Sequence, residues 1–295
     1  MGVSNKNLIF ARITTNAAVV RYRWGFNRGC SVPSICRRRP YSSVWWNECV
    51  RNRFCCHLPC QTYAFRSLLH IAFYHRRSDI VRLLMSKGAD IEQLNVEGIV
   101  APFHLFQPAH RQSSSLPTEF RDLLSGHCLG LFDTQSCQGW TIFHRAAAYG
   151  TAEDVDFCIY NGASLNLVTS DHLWTPLFVA VAFDNIETYK ELARHYGPGH
   201  IAYTDARGWT LLHVAAEVGN PQLIQLLMKE GSDVNAFSSP GSPLVAAEIR
   251  DLFLTPLDVA KYYGEEKLQN FIHGLNLAGI LIHSDGIFWP CEDFI

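Results

Sequence analysis

Acidic residues are almost absent from the first 66 positions, where Glu48 stands alone against eleven lysines and arginines for a net charge of +10. Residues 67–295 carry 14 basic and 26 acidic residues, a net of −12, so the overall −2 conceals two parts of opposite sign. No apolar run approaches the ~20 residues needed to cross a bilayer. The longest candidate, 275–282, is interrupted by Asn276 and Gly279, and no membrane span is expected. The N-terminus has no apolar core of the secretory kind. Lys6 occupies the place where a myristoylation signal needs Ser or Thr. No N-x-Ser/Thr sequon occurs anywhere in the chain. These absences point to an intracellular protein of the cytoplasm or nucleus.

Catalytic signatures are missing too. There is no G-x-S-x-G, no H-E-x-x-H, no phosphate-binding Walker loop and no G-x-G-x-x-G. The expectation is therefore a protein that is not an enzyme, with no small-molecule substrate, no cofactor and no metal.

What the chain does contain is a repeated sentence. TLLH at 210–213 recurs as TPLF at 175–178, TIFH at 141–144 and TPLD at 255–258, and more weakly as SLLH at 67–70 and APFH at 101–104. The steps between successive openings are 34, 40, 34, 35 and 45 residues. Self-similarity at such a period means stacked supersecondary units. The unit from Thr210 shows why. A threonine hydroxyl suits the N-cap. Leu211, Leu212, Val214, Ala215 and Ala216 then give a short helix with a small-residue face, and Gly219 ends it. Pro221 opens a second helix with Leu223, Ile224, Leu226 and Leu227 at helical spacing, and Gly231 closes the unit. Each helix is too short to persist alone, so stability is shared between neighbours. His70, His104, His144 and His213 all fall inside this element.

A 33–34-residue period opening on T-P-L-H resembles the ankyrin repeat, and GWTLLHVAAEVG with the Trp-containing tail is similar to ankyrin proteins of filamentous fungi. The resemblance implies an all-α fold: an ankyrin-repeat solenoid of about six helix-turn-helix units, some degenerate, with an irregular basic N-terminal extension. The expected organisation is a basic Cys/Arg-rich extension or degenerate cap over 1–60, a repeat domain over 61–275 and a capping tail over 276–295. The unit from Ala101 is the poorest. The insertion between Asn235 and Thr255 is expected to be a Ser/Pro/Gly loop with up to two turns of extra helix at 244–252. Acidic pairs Asp154/Asp156 and Glu265/Glu266 begin second helices, where they suit the helix dipole as capping or solvated groups.

The resemblance also implies a function: binding another protein through the hairpin turns and the concave face of the inner helices. The variable position before the threonine falls on Trp140, Trp174 and Trp209. A second contact position falls on His75, Tyr149, Phe183, Val218 and Tyr263, preceded by Tyr74 and Tyr262 in two units. The aromatics of this set, Trp140, Trp174, Trp209, Tyr149, Phe183, Tyr263, Tyr74 and Tyr262, are the candidate partner-binding residues. The tryptophans have a structural alternative, in which each indole covers the neighbouring hairpin.

The first sixty residues leave four alternatives open. They interleave Arg21, Arg23, Arg37, Arg38 and Arg39 with Tyr22, Trp24, Trp45 and Trp46. Such a segment can be a mitochondrial presequence, or can contact nucleic acid, which makes a nucleic-acid-associated regulator the second functional candidate. Cys49, Cys55, Cys56, His57 and Cys60 supply zinc-type ligands but lack a second knuckle at the usual spacing. The remaining alternative is a degenerate cap on the stack.

Overall fold

The structure, a computed structural model, describes residues 67–95, 98–108, 115–125, 130–282 and 288–290. The expectations for the N-terminal extension, including its cysteine cluster and the 60/61 boundary, lie outside the described residues.

Among the described residues six helical pairs follow one another. The first is α1 (Leu68–Tyr74) and α2 (Ser78–Ser86). The second is a 3₁₀ turn, Ala101–Leu105, followed by α3 (Thr118–Ser125). Then come α4 (Ile142–Tyr149) with α5 (Ala152–Tyr160), and α6 (Pro176–Ala182) with α7 (Ile186–Tyr196). The last two pairs are α8 (Leu211–Val218) with α9 (Pro221–Lys229), and α10 (Pro256–Tyr262) with α11 (Glu265–Leu277). The first members form one continuous row, each packed on the next from α1 through the 3₁₀ turn to α10. Ala146, Ala147, Ala180, Ala215, Ala216 and Ala260 are fully buried along this row, where a larger side chain would hold the helices apart. The second members lie behind, α5 against α7 and α9 against α11.

Capping follows the repeated letters. Thr141, Thr210 and Thr255 each close a reciprocal box with the residue three positions on, His144, His213 and Asp258. Each histidine then reaches the next unit. His70 Nε2 lies 2.8 Å from the Ile99 carbonyl, His144 Nε2 3.1 Å from that of Trp174, and His213 Nε2 2.9 Å from that of Leu254. In the last two, the threonine backbone N–H donates to Nδ1, which leaves Nε2 as the protonated nitrogen that donates across the repeat.

Two elements differ from expectation. In the second unit the inner element shortens to a 3₁₀ turn, because Ala101 offers no capping hydroxyl and Gln107-Pro108 stops helix growth. Arginines from both flanking units serve its carbonyls. Arg76 donates to Leu105 O from Nε and Nη2 at 3.2 and 2.9 Å, and Arg145 Nε donates to Phe106 O at 2.9 Å. No extra helix forms over 244–252; the segment is a series of turns that includes Ser242 O accepting from Val245 N and Ala246 O accepting from Ile249 N. The architecture is otherwise helical, and the C-terminal tail adds one antiparallel hairpin. Its strands are β1 (Ile280–Ile282) and β2 (Phe288–Pro290), in the register Ile280 to Pro290, with β1 packed on α11.

Candidate functional site

The turns between units form a row of hairpins. Four close with a backbone N–H to carbonyl bond over three or four residues: Asn95 to Ile99, Ser136 to Trp140, Thr169 to Trp174 and Asp205 to Trp209, at 2.8–3.0 Å. The fifth makes the same closure from Ser238 to Leu254, at 2.9 Å, but over fifteen residues. Adjacent tips are stitched together. Ser170 N–H donates to Gln138 O, Ala206 N–H to His172 O and Ser239 N–H to Arg207 O. Gly208 takes φ +69, and a Cβ there would lie 2.5 Å from Ser239 N. The equivalent slot in the fourth unit is filled by Leu173, which adopts φ 56 at a cost only glycine avoids.

The three tryptophans occupy one slot but different environments. Trp140 is half-buried and meets Phe183 edge-on at 5.8 Å. Trp174 is half-buried; its Nε1–H donates to Asp205 Oδ2 at 3.0 Å and its ring lies 4.6 Å from His172. Trp209 is 1% exposed, covered by the Arg207 guanidinium 3.7 Å above its ring. This indole is covered by its own chain, in the manner of the structural alternative for the tryptophans.

Beneath the turns lies a charged cluster. Arg207, itself buried, pairs with the fully enclosed Asp205 carboxylate at 2.8 Å and with Glu217 at 3.2 Å. Asp205 Oδ1 also accepts from the backbone N–H groups of Arg207 and Trp209. Burial, reinforced by the Glu217 carboxylate, pushes the Tyr263 hydroxyl well above its ordinary pKa. Burial holds His144 at about 4 and lowers His213, so both histidines are neutral.

The second candidate set separates into three groups. Tyr149 is nearly buried, with Phe183 edge-on at 5.2 Å and Arg145 4.9 Å over its ring. Phe183 therefore joins Trp140 and Tyr149 into one aromatic cluster spanning the third and fourth units. Tyr262 and Tyr263 are exposed and meet edge-on at 5.4 Å. Tyr74 is exposed beside His75 at the first unit. Val218, in the same position of the fifth unit, is aliphatic, which interrupts the aromatic series between Phe183 and Tyr263.

Sequence spacing did not reveal the clamp by Arg76 and Arg145, nor the depth of Asp154. That carboxylate is 1% exposed, closes the Thr151 box through Oδ2, and accepts from Leu116 N at 2.7 Å and Arg121 at 3.3 Å. It is a capping group, as expected, but not a solvated one. Asp156, Glu191 and His195 bring possible cation ligands within 4.8 Å of one another on the surface of α5 and α7, where Arg194 pairs with Glu191 at 2.5 Å. A shallow cleft of about 430 Å³ includes Lys190, Arg194, His200 and Glu230 in its walls. At that cleft the Tyr189 hydroxyl donates to Glu230 Oε2 at 2.5 Å and lies 3.2 Å from His200 Nε2. No helix among the described residues is long and apolar enough to cross a membrane.

Known proteins place this geometry. The family profile described as ankyrin repeats, three copies, matches residues 143–238, and the single ankyrin repeat matches 66–96. The second unit and the last fall outside these two matches. An ankyrin repeat protein of fowlpox virus, FPV031, is 30% identical over 166 residues, covering 55% of this chain and 47% of the relative. The transient receptor potential cation channel subfamily A member 1 of Drosophila melanogaster is 25% identical over 195 residues, covering 63% of this chain but 16% of the channel. The chain thus spans half or less of the length of these relatives. Among solved structures, the ankyrin repeat domain of Bcl-3, an IkappaB protein family member, superposes with TM-score 0.50 at 24% identity over 71% of this chain and 83% of that one. A chain of the complex of the Bd0816 predatory endopeptidase from Bdellovibrio bacteriovorus with immunity protein Bd3460 gives TM-score 0.53 at 18% identity, over 70% of this chain and 97% of that one. At these identities the structural likeness concerns the fold.

Proposed function

From the premise that this chain carries ankyrin repeats stacked as a solenoid, we propose that it is a non-enzymatic scaffold that binds another protein through its hairpin turns and the face at the ends of its inner helices. The observation that carries this reading is the cluster of Trp140, Tyr149 and Phe183, with Tyr74 exposed in the first unit and Tyr262 and Tyr263 in the last. Two of the cluster's three rings are only partly covered by the chain itself, and aromatics held rigidly at a surface dominate interface energetics. The repeat letters themselves are used for capping and stacking, so the variable aromatic positions are where specificity resides. One structural neighbour comes from a complex of an endopeptidase with an immunity protein, which agrees with an interaction module. On this proposal the protein is intracellular, and its likeness to fungal ankyrin proteins lies in the spelling GWTLLHVAAEVG.

The test compares wild type with Trp140→Ser/Phe183→Ser in affinity capture from cell extract, with helical circular dichroism as the folding control. Loss of specific partners at unchanged helicity supports the reading; equal capture removes this cluster from it. The second candidate, nucleic-acid association, is motivated by the +10 charge of residues 1–66. It predicts binding to DNA or RNA whose affinity falls steeply with salt, and salt-independent or absent binding ends it.

A further inference from the structure

The hairpin that closes between Ser238 and Leu254 is the one that departs from its siblings, and its surface is unlike theirs. Ser238 and Leu254 are buried and pair across the neck, Ser238 N–H donating to Leu254 O and Leu254 N–H donating to Ser238 Oγ at 2.9 Å. Phe237 and Phe253, each next in sequence to one of the buried pair, are 66% and 65% exposed. Leu252 is exposed beside Phe253, and Tyr262 and Tyr263 are exposed at the end of α10 directly following. Tyr262 Oη reaches Glu248 Oε2 of the loop at 3.5 Å, so loop and helix end are in contact. Of the thirteen large apolar side chains exposed among the described residues, six (Phe237, Leu244, Leu252, Phe253, Tyr262 and Tyr263) lie in this loop and at the end of α10, and such a concentration marks an interaction site.

The enlarged loop is also organised in advance. Gly241 N–H donates to Arg250 O at 2.7 Å, Arg250 returns to the Val245 carbonyl at 3.4 Å, and Ser242 and Val245 are buried beneath. A pre-ordered surface loses little freedom on binding. Its net charge is acidic. Residues 231–266 hold six acidic and two basic side chains, a net of −4, with Asp233, Glu248 and Asp251 exposed. The two cations are engaged by the chain itself, Arg250 with Val245 O and Lys261 with Asp258 at 4.0 Å.

We propose that this enlarged last hairpin, with Phe237, Phe253, Tyr262 and Tyr263, is a docking surface for a basic, apolar-anchored peptide segment of a partner protein. The proposal deepens the scaffold reading and rests on it. The apolar anchors of the segment pack on the exposed phenylalanines, and its lysines or arginines meet the acidic rim. A phage-displayed library of random 16-residue peptides, panned on the full-length protein, tests it. The expected binders are rich in Lys/Arg with Leu, Phe or Trp anchors. A synthetic binder should lose tenfold or more in affinity against Phe237→Ser/Phe253→Ser and weaken with salt, while Trp140→Ser/Phe183→Ser leaves it unchanged. Both phenylalanines are exposed, so the double variant should keep its helical spectrum and melting temperature. Acidic or uncharged binders, equal affinity for the phenylalanine variant, or no enrichment would overturn the docking surface. A concentration-dependent dimer that Phe237→Ser/Phe253→Ser dissolves would also overturn it, by making a second copy the occupant. Binders that depend on Trp140 and Phe183 instead would sink this site while leaving the scaffold reading in place.

Discussion

The His144 ring spans two repeats: Nδ1 accepts from the Thr141 backbone at 3.2 Å and Nε2–H donates to the Trp174 carbonyl at 3.1 Å. Both nitrogens are committed in the neutral form. Protonation would set an N–H at Nδ1 against the Thr141 N–H. Burial holds the folded pKa at about 4, against 6.5 for the free side chain. As pH falls below 6.5 the unfolded chain binds a proton that the folded chain refuses, so stability is full above that point and declines toward pH 4. One histidine of this kind contributes up to ~3 kcal/mol of acid sensitivity. His213 is shifted in the same direction and adds to the loss. Urea unfolding between pH 7.5 and 4.5 should show this decline, and His144→Gln should be less stable at pH 7.5 but flatter across the range. An unchanged slope in the variant would place the acid sensitivity elsewhere.

At the hairpin tips, backbone conformation is the determinant. Gly208 has φ +69 and no room for a Cβ beside Ser239, whereas Leu173 has φ 56 and is 49% exposed. Gly208→Ala adds conformational strain to a backbone collision and should cost ~1–3 kcal/mol. Leu173→Gly relieves a left-handed residue of ~1–2 kcal/mol of strain, part of which is offset by the greater freedom of glycine in the unfolded chain. The melting temperature should therefore fall in the first variant and rise slightly in the second. A fall in both would mean that the Leu173 side chain stabilises the turn by contacts that outweigh its strain.

These two cases mark where the sequence is informative. Thr141 and His144, or Thr210 and His213, lie three residues apart, so their boxes follow from local spacing and the repeat was legible from them. The structural role of the histidines, which bond from one repeat to the next, is what the ankyrin resemblance implies. The three tryptophans were not separable, because they share one letter and one slot. What buries Trp209 is Arg207, two residues before it, while Trp140 and Trp174 have no arginine at that place. Arg76 and Arg145 were not recognised as clamps because their acceptors, Leu105 and Phe106, are 29 and 39 residues away in a degenerate unit. The run 244–252 has helical letters, but closure of Gly241 onto Arg250 commits its backbone to turns.

Asp154 fastens the degenerate second unit to the third. Its Oδ1 accepts from Leu116 N at 2.7 Å and from Arg121 at 3.3 Å, while Oδ2 caps α5 through Thr151 N at 3.0 Å. Asp154→Ala removes the cap and leaves Arg121 and the Leu116 amide without this acceptor. The side chain is 1% exposed but Arg121 is 26% exposed, so water recovers part of the loss. The expected cost is ~2–3 kcal/mol. Amide hydrogen exchange should accelerate first over 115–125 and only later over α4. Uniform acceleration along the whole stack would show that the second unit is not separately held.

Arg207 should be among the costliest surface-proximal positions to change. Its guanidinium lies 3.7 Å over Trp209, pairs with the enclosed Asp205 at 2.8 Å and reaches Glu217 at 3.2 Å. Arg207→Ala leaves the Asp205 carboxylate buried without its cation, a defect of ~3–5 kcal/mol in comparable settings. The N–H groups of Arg207, Trp209 and Trp174 still reach that carboxylate, which sets the expectation at the lower end, ~3 kcal/mol. Arg207→Lys keeps one charge but loses the planar fork and the stacking on the indole, so it should recover less than half. Removing the guanidinium also uncovers Trp209, and acrylamide should then quench indole fluorescence more strongly than in wild type. If Arg207→Ala unfolds at the wild-type urea midpoint with unchanged quenching, the guanidinium contributes nothing beyond its solvation and the cluster does not hold the turn.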